Sequence, residues 1–387
     1  MKKRYKILTV FGTRPEAIKM APLVKAIEKE ECFESRVVVT AQHREMLDQV
    51  LNLFNITPHH DLNIMVQGQT LYDITCRGLK GLENVFSLEK PDLVLVHGDT
   101  TTTLAGALAA YYQQIPVGHV EAGLRSGNKY SPFPEEMNRK LTSGIASIHF
   151  APTSQGFNNL IKEGVEEKDI FITGNTVIDA LLETVKPNYQ FTDLSLSRIP
   201  FNEKKVLLVT AHRRENLGKP MENIFSALAE LHNNFQDIEI IFPVHKNPRV
   251  REIAFQYLGS LERAHLIEPL DYEPFANLMN KCHFILTDSG GLQEEAPALG
   301  KPVLVLRENT ERPEAVEAGT VELVGTNSME ILKKSEKLLT DNKFYDKMSQ
   351  AVNPYGDGQA CKRIIACLRY YFGIDNKRPL EWWHKSP

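Results

Sequence analysis

The chain of 387 residues is long enough for two domains of ordinary size. It has 42% hydrophobic and 24% charged residues and a net charge of -4, which gives no electrostatic reason to expect nucleic acid or an acidic membrane as partner. The apolar run Lys6–Val10 is too short for a signal-peptide core, no run approaches the ~20 apolar residues of a membrane span, and the five cysteines form no C-x-x-C pair, so a cytoplasmic setting is expected.

In chain order, β-rich runs alternate with helical patterns. Lys6–Val10, Arg36–Thr40, Leu93–His97 and Ile115–Val120 are predicted strands. Between them Ala17–Glu30, Glu45–Phe54, Leu71–Phe86 and Thr102–Gln113 are predicted helices. A polar stretch with two prolines, Pro187–Lys205, interrupts the rhythm. Strands then resume at Val206–Thr210, Glu239–Pro243, Phe284–Thr287 and Pro302–Leu306. Helices are expected at Met221–His232, Pro274–Lys281, Gln293–Leu299 and Gln359–Phe372. Such alternation argues an α/β protein with parallel sheets covered on both faces. The expected fold is two Rossmann-like domains facing across a cleft, 1–170 and 171–355, with the final stretch, about 356–387, packing back on the first. The tail Trp382-Trp383-His384 carries no assignable role.

In open parallel sheets ligands bind beyond the carboxyl ends of the strands, and there the unusual residues gather. Lys6–Val10 is followed by Gly12-Thr13-Arg14, Leu93–His97 by Gly98-Asp99, and Ile115–Val120 by Glu121. In the second half, His212, His245 and Asp288-Ser289-Gly290-Gly291 follow strands in the same way. Each has a plainer reading: Gly12 as a tight turn, Asp99 as the cap of the next helix, His245 as a structural histidine. The segment DSGGLQEEA is the clearest anion site, because glycines let backbone amides approach a phosphate at a helix start. A carboxylate one turn on suits ribose hydroxyls, whereas Glu294 read plainly only complements the helix dipole. FGTRPE is not G-x-G-x-x-G and there is no G-x-x-x-x-G-K-[ST], so neither a nicotinamide cofactor nor ATP hydrolysis is supported. His97-Gly98-Asp99 is a weak metal signal with no accompanying ligand cluster.

FGTRPEAIK, TAQHREMLDQ, HGDTTTT, HVEAGLR, SPFPEEMNR, TGNTVID, AHRREN, TDSGG-x-QEEAP, ERPEA and NPYGDGQA occur in this order from Lys6 to Leu368. With these motifs the chain resembles the UDP-N-acetylglucosamine 2-epimerases of the non-hydrolysing bacterial kind. The resemblance implies a glycosyltransferase B-type fold, a cytoplasmic homodimer and no cofactor. It also implies interconversion of UDP-N-acetylglucosamine and UDP-N-acetylmannosamine for surface polysaccharide. By matching motif, Arg14, Lys19, Asp99, Glu121, His212, His245, Phe275, Ser289, Gly290, Gly291, Glu295 and Arg312 are expected to bind the nucleotide sugar, and Asp99, Glu121, Glu135 and His212 to be catalytic. Glu136, directly after Glu135, reads as structural. Leu270 stands where some members carry a Gln. Gln42, His43 and Arg44 are expected to hold an activating second UDP-N-acetylglucosamine, although Glu45 and Gly68 replace a Gln and an Arg of some relatives.

The chemistry fits those residue types. Carbon 2 carries an unactivated C–H bond. Loss of UDP from carbon 1 builds positive charge there and acidifies that proton, giving 2-acetamidoglucal. Adding UDP back, with the proton delivered to the opposite face, yields the epimer. Carboxylates can serve as bases and as neighbours of an oxocarbenium-like charge, and the departing pyrophosphate needs fixed positive groups. The alternatives are a hydrolysing 2-epimerase releasing N-acetylmannosamine, a glycosyltransferase of the same fold, and a non-catalytic sensor.

Overall fold

The structure is a computed structural model that describes residues 3–41 and 44–382. The chain divides into two compact units. One runs through Glu183 and takes up the chain again from Tyr355; the other is Thr184–Pro354. The first boundary lies at the end of the helix Thr176–Thr184, ahead of the proline-containing stretch 187–205.

Among the described residues, the first unit holds a seven-stranded sheet. Its strands are β1 (Tyr5–Phe11), β2 (Phe33–Val39), β3 (His60–Asp61), β4 (Leu93–His97), β5 (Val117–Val120), β6 (Ile148–Ala151) and β7 (Ile170–Ile172). All pair in parallel, in the order β3-β2-β1-β4-β5-β6-β7. β4 is buried at every position, as expected of a strand covered on both faces. Leu8, Val10, Val94 and Val96 pack with Leu82 and Phe86 of the helix Leu71–Glu89 and with Ala107 and Ala110 of the helix Thr101–Tyr112. The helix Ala360–Tyr371 belongs to this unit, and Phe372 beyond its end stacks on Tyr5 with centroids 4.2 Å apart. Trp382 is tied down as well: its N–H donates to the Ile172 carbonyl at 2.7 Å, and the Arg363 guanidinium lies over its ring.

The second unit holds β8 (Lys205–Thr210), β9 (Ile238–Pro243), β10 (Ala264–Ile267), β11 (Phe284–Thr287), β12 (Val303–Val305) and β13 (Val321–Leu323), all parallel, in the order β10-β9-β8-β11-β12-β13. Its core joins Leu207, Val209, Ile240, Phe242, Phe284 and Leu286 to Phe225 and Leu228 of the helix Lys219–Asn234.

The strand predicted from Ile115 begins at Val117. Gln114 is left-handed, with φ 58°, and the Ile115 N–H bonds back to Ala110, so these residues close the preceding helix. β6, β7, β10 and β13 have three or four residues each, too few for a period of two to stand out in sequence.

Candidate active site

In each sheet the strand order reverses at one point, between β1 and β4 in the first unit and between β8 and β11 in the second. A doubly wound sheet opens a crevice at such a point. The loops leaving those four strands carry Gly12–Arg14, Gly98–Thr100, Ala211–Arg213 and Asp288–Gly291.

In the first unit Gly12 is fixed by close approach. A Cβ there would fall 1.9 Å from Thr40 Oγ1 and 2.7 Å from Thr102 Oγ1, and these hydroxyls bond each other at 2.9 Å. Glu16 gathers the loop ends: its carboxylate accepts the N–H of Gly12 and Thr13 at 3.0 and 2.8 Å and the Thr100 and Thr103 hydroxyls at 2.6 and 3.2 Å. Arg14 opens the helix Arg14–Glu28 with a guanidinium that makes no hydrogen bond or ion pair among the described residues.

Glu121 is buried and left-handed, with φ 61°. Such a backbone costs a non-glycine residue about 1–3 kcal/mol and persists only where its surroundings hold it. Here they do: Lys19 pairs with Oε2 through a short contact, Asn175 Nδ2 donates to the same oxygen at 2.8 Å, and His97 Nε2 lies 3.7 Å from it. Burial alone would raise this carboxyl, but Lys19 and His97 outweigh it and hold it well below the usual carboxylate range. Asp99 pairs with Arg139, and its carbonyl accepts from Asn138 at 2.9 Å. Thr100, not Asp99, caps the helix Thr101–Tyr112, which removes the capping reading of Asp99.

Glu135 and Glu136 open the helix Glu135–Ile145 and behave differently. Glu136 is fully buried, accepts the N–H of Ser126 and Gly127 at 2.9 and 3.1 Å, and is paired with Arg139 at 3.3 Å. Glu135 has a buried oxygen, Oε2, without a hydrogen-bond partner among the described residues. The structural carboxylate is therefore Glu136, and Glu135 is left available.

In the second unit a cavity of about 290 Å³ is lined by Thr210, His212, His245, Leu270, Phe275, Ser289 and Glu295, among others. His212 stacks on His245, with centroids 5.5 Å apart and planes at 16°. His245 Nδ1 also accepts the Asn247 N–H at 3.1 Å. Burial and the neighbouring His212 lower the pKa of His245. The amides of Gly290 and Gly291 donate to no acceptor among the described residues, and a Cβ on either glycine would meet nothing closer than 3.8 Å. The backbone is thus open to a ligand just before the helix Leu292–Ala298. Tyr272 donates to Glu295 at 3.5 Å, while Glu294 is buried and paired with Arg312. Glu295 accordingly lines the cavity, and Glu294 holds Arg312.

Several partners were invisible in the sequence. Asp288 accepts backbone N–H groups of His212 and Arg213; Glu16 gathers the first loops; Arg139 and Asn175 meet the two carboxylates. The contacts of Asp288, Arg139 and Asn175, and those of Glu16 to Thr100 and Thr103, act across long sequence separations, so spacing gives no signal for them; only the Thr13–Glu16 capping box is local. Of the expected activator residues, Gln42 and His43 lie outside the described residues. Arg44 pairs with Asp48 and Asp61.

Residues 25–369 match the family model described as UDP-N-acetylglucosamine 2-epimerase. The UDP-N-acetylglucosamine 2-epimerase of Bacillus subtilis is 58% identical over 377 residues, 97% of this chain and 98% of that protein. The UDP-GlcNAc 2-epimerase of Neisseria meningitidis, solved with UDP-GlcNAc bound, superposes with a TM-score of 0.84 at 52% identity, covering 94% of this chain and 99% of that one. An S. aureus protein solved with UDP gives 0.88 at 53%, covering 98% and 100%. With two parallel α/β sheets and this match along nearly its whole length, the chain belongs to the UDP-N-acetylglucosamine 2-epimerase family.

Proposed function

We propose that the protein interconverts UDP-N-acetylglucosamine and UDP-N-acetylmannosamine by eliminating and re-adding UDP, without hydrolysis and without a cofactor. The rim of the second unit would hold the nucleotide. Phe275 offers an apolar face for the base, Glu295 an acceptor for ribose hydroxyls, and Ser289, Gly290 and Gly291 donors for phosphate. His212, with Arg312, would balance the charge of departing pyrophosphate. Lys19 sets the ionisation of Glu121. The carbon 1–oxygen bond breaks as a carboxylate removes the carbon 2 proton; in the reverse step the alkene takes a proton from the opposite face and UDP re-adds. Asp99, Glu121 and Glu135 would serve these transfers.

One observation carries this reading. Among the described residues, Glu135 has a buried carboxylate oxygen with no donor, whereas Glu136, Asp99 and Glu121 all have partners. Such an oxygen is costly to leave unsatisfied unless a substrate supplies the missing partner. We further infer a cytoplasmic homodimer that feeds surface polysaccharide synthesis and is activated by its own substrate through Gln42, His43 and Arg44. No helix among the described residues is long and apolar enough to cross a membrane.

The deciding experiment is incubation of the protein with UDP-N-acetylglucosamine alone in deuterium oxide, followed by proton NMR. Both UDP-sugars should appear and lose the carbon 2 proton signal. Free N-acetylmannosamine would indicate the hydrolysing reaction, and no change without an added acceptor would indicate a transferase or a sensor.

A further inference from the structure

The groups that hold Glu121 all meet one of its two carboxylate oxygens. Lys19 Nζ, Asn175 Nδ2 at 2.8 Å and His97 Nε2 at 3.7 Å all face Oε2. Oε1 accepts no hydrogen bond among the described residues; it faces Gly98, where an added Cβ would stand 3.6 Å from it. The carboxylate is thus unsymmetrical, with one oxygen anchored and the other directed at the loop that carries Asp99.

Asn175 is suited to be the anchor. It is almost fully buried, and its N–H donates to the Tyr355 carbonyl at 2.7 Å. Its Oδ1 accepts the Val177 N–H at 3.1 Å, which leaves the amide nitrogen to face Glu121. The strands β7 and β5, from whose ends Asn175 and Glu121 emerge, are separated by β6, so the contact bridges a neighbouring strand. The Tyr355 backbone that orients Asn175 lies in the NPYGDGQA segment, which gives TGNTVID and NPYGDGQA a shared task.

We infer that Asn175 is a positioning residue for the epimerisation: by fixing Oε2 of Glu121 it makes Oε1 the oxygen that meets the sugar. This rests on the reading of Glu121 as an acid–base group. A mispositioning of about 1 Å can cost about 10²-fold in rate. A neutral N–H donor also favours the charged carboxylate, so its removal raises the carboxyl pKa and moves the acid limb of the rate profile to higher pH.

The test compares Asn175→Ala, the isosteric Asn175→Asp and Glu121→Gln. Each is assayed for kcat and KM across pH, for carbon 2 proton exchange in deuterium oxide, and for UDP binding. Asn175→Asp keeps the shape and the Val177 contact but sets an acceptor against Oε2. It should lower kcat by about 10²-fold, shift the acid limb upward, reduce proton exchange in step, and leave UDP affinity near the parent's. Asn175→Ala should lose less rate, with a smaller shift in the same direction. An Asn175→Asp protein with the parent's kcat and acid limb, while Glu121→Gln is inactive, overturns the positioning role and leaves the Glu121 assignment standing. A fully active Glu121→Gln overturns both.

Discussion

Asp288 holds the backbone of His212 and lies beside its ring. Its Oδ2 accepts the His212 backbone N–H at 2.9 Å, and its Oδ1 lies 3.3 Å from the ring Nδ1 of the same residue. The same Oδ2 accepts the Arg213 N–H at 2.9 Å and the Asn216 amide at 3.0 Å, and Asp288 itself is wholly buried. Asp288→Ala would leave those donors without their acceptor, a loss of about 1–3 kcal/mol for each buried group left unsatisfied. A markedly lower melting temperature is expected, together with weaker UDP binding as the loop carrying His212 loosens. A variant that melts and binds like the parent would show that Asp288 does not organise this rim.

Asp99→Asn and Glu121→Gln should lose about 10²–10⁴-fold in turnover, the usual cost of a missing general base, and still fold. The structure sharpens the expectation for Asp99, because Thr100 already caps the following helix and an amide at Asp99 takes nothing from it. Turnover by the NMR assay and melting by circular dichroism read the two effects separately. Parent-like turnover in both variants would reduce these residues to structural ion pairs.

How far the sequence reached follows from what each residue depends on. That Asp99, Glu121, His212 and Ser289 follow buried strands was visible because a polar residue directly after such a strand is a local pattern, and within each sheet the parallel topology sets such ends along one edge. Asn175, Arg139 and Asp288 were quoted within motifs but given no role, because their partners lie 54, 40 and 76 residues away and no local rule pairs them. Glu16 forms a local capping box with Thr13, but its reach to Thr100, 84 residues on, left no local trace. The same holds for Trp382, which looked unassignable and whose N–H binds Ile172. The division between units was hard to see because the helix Thr176–Thr184 ends there without a change of composition, and the proline-containing stretch comes later.

Acid should loosen the first sheet through Glu89. Its carboxylate bonds His60 Nε2 at 2.7 Å and Lys6 Nζ at 3.0 Å, with Arg36 Nε at 3.4 Å. Burial would raise its pKa from 4.5, but the hydrogen bonds from His60 and Lys6, with the charges of Lys6 and Arg36, bring it down to about 2. The folded value lies below the unfolded one, so this stabilisation is complete above 4.5 and is lost as pH falls towards 2. Urea melts between pH 6 and 2.5 should show the parent losing more stability than Glu89→Gln, which starts lower. Parallel curves for the two proteins would remove Glu89 as the source.

UDP should raise the melting temperature. A ligand that binds only the folded state at about 100 times its Kd adds roughly 2.7 kcal/mol. Phe275 lines the cavity of the second unit, so Phe275→Ala should reduce the shift while that unit stays folded. No shift with millimolar UDP would contradict a nucleotide site there.

Activation by substrate can be tested at the start of the helix Arg44–Leu53. Arg44 bonds Asp48 at 3.0 Å and also pairs with Asp61, so its charge is already balanced and its side chain half-exposed. A second UDP-N-acetylglucosamine would have to draw Arg44 from these carboxylates or rely on Gln42 and His43. Surface pairs are worth about 0–1 kcal/mol, less than the 1–3 kcal/mol typical of coupling between sites, so the exchange is within reach. With pure UDP-N-acetylmannosamine the reaction should therefore start slowly and accelerate when a trace of UDP-N-acetylglucosamine is added. Gln42→Ala combined with His43→Ala should blunt that acceleration and leave UDP-induced melting shifts largely intact. Asp61→Asn, which frees Arg44, should lower the concentration of UDP-N-acetylglucosamine needed for half-activation. A full initial rate on the pure mannosamine substrate, unaltered by the additive, would mean that this segment carries no activator site.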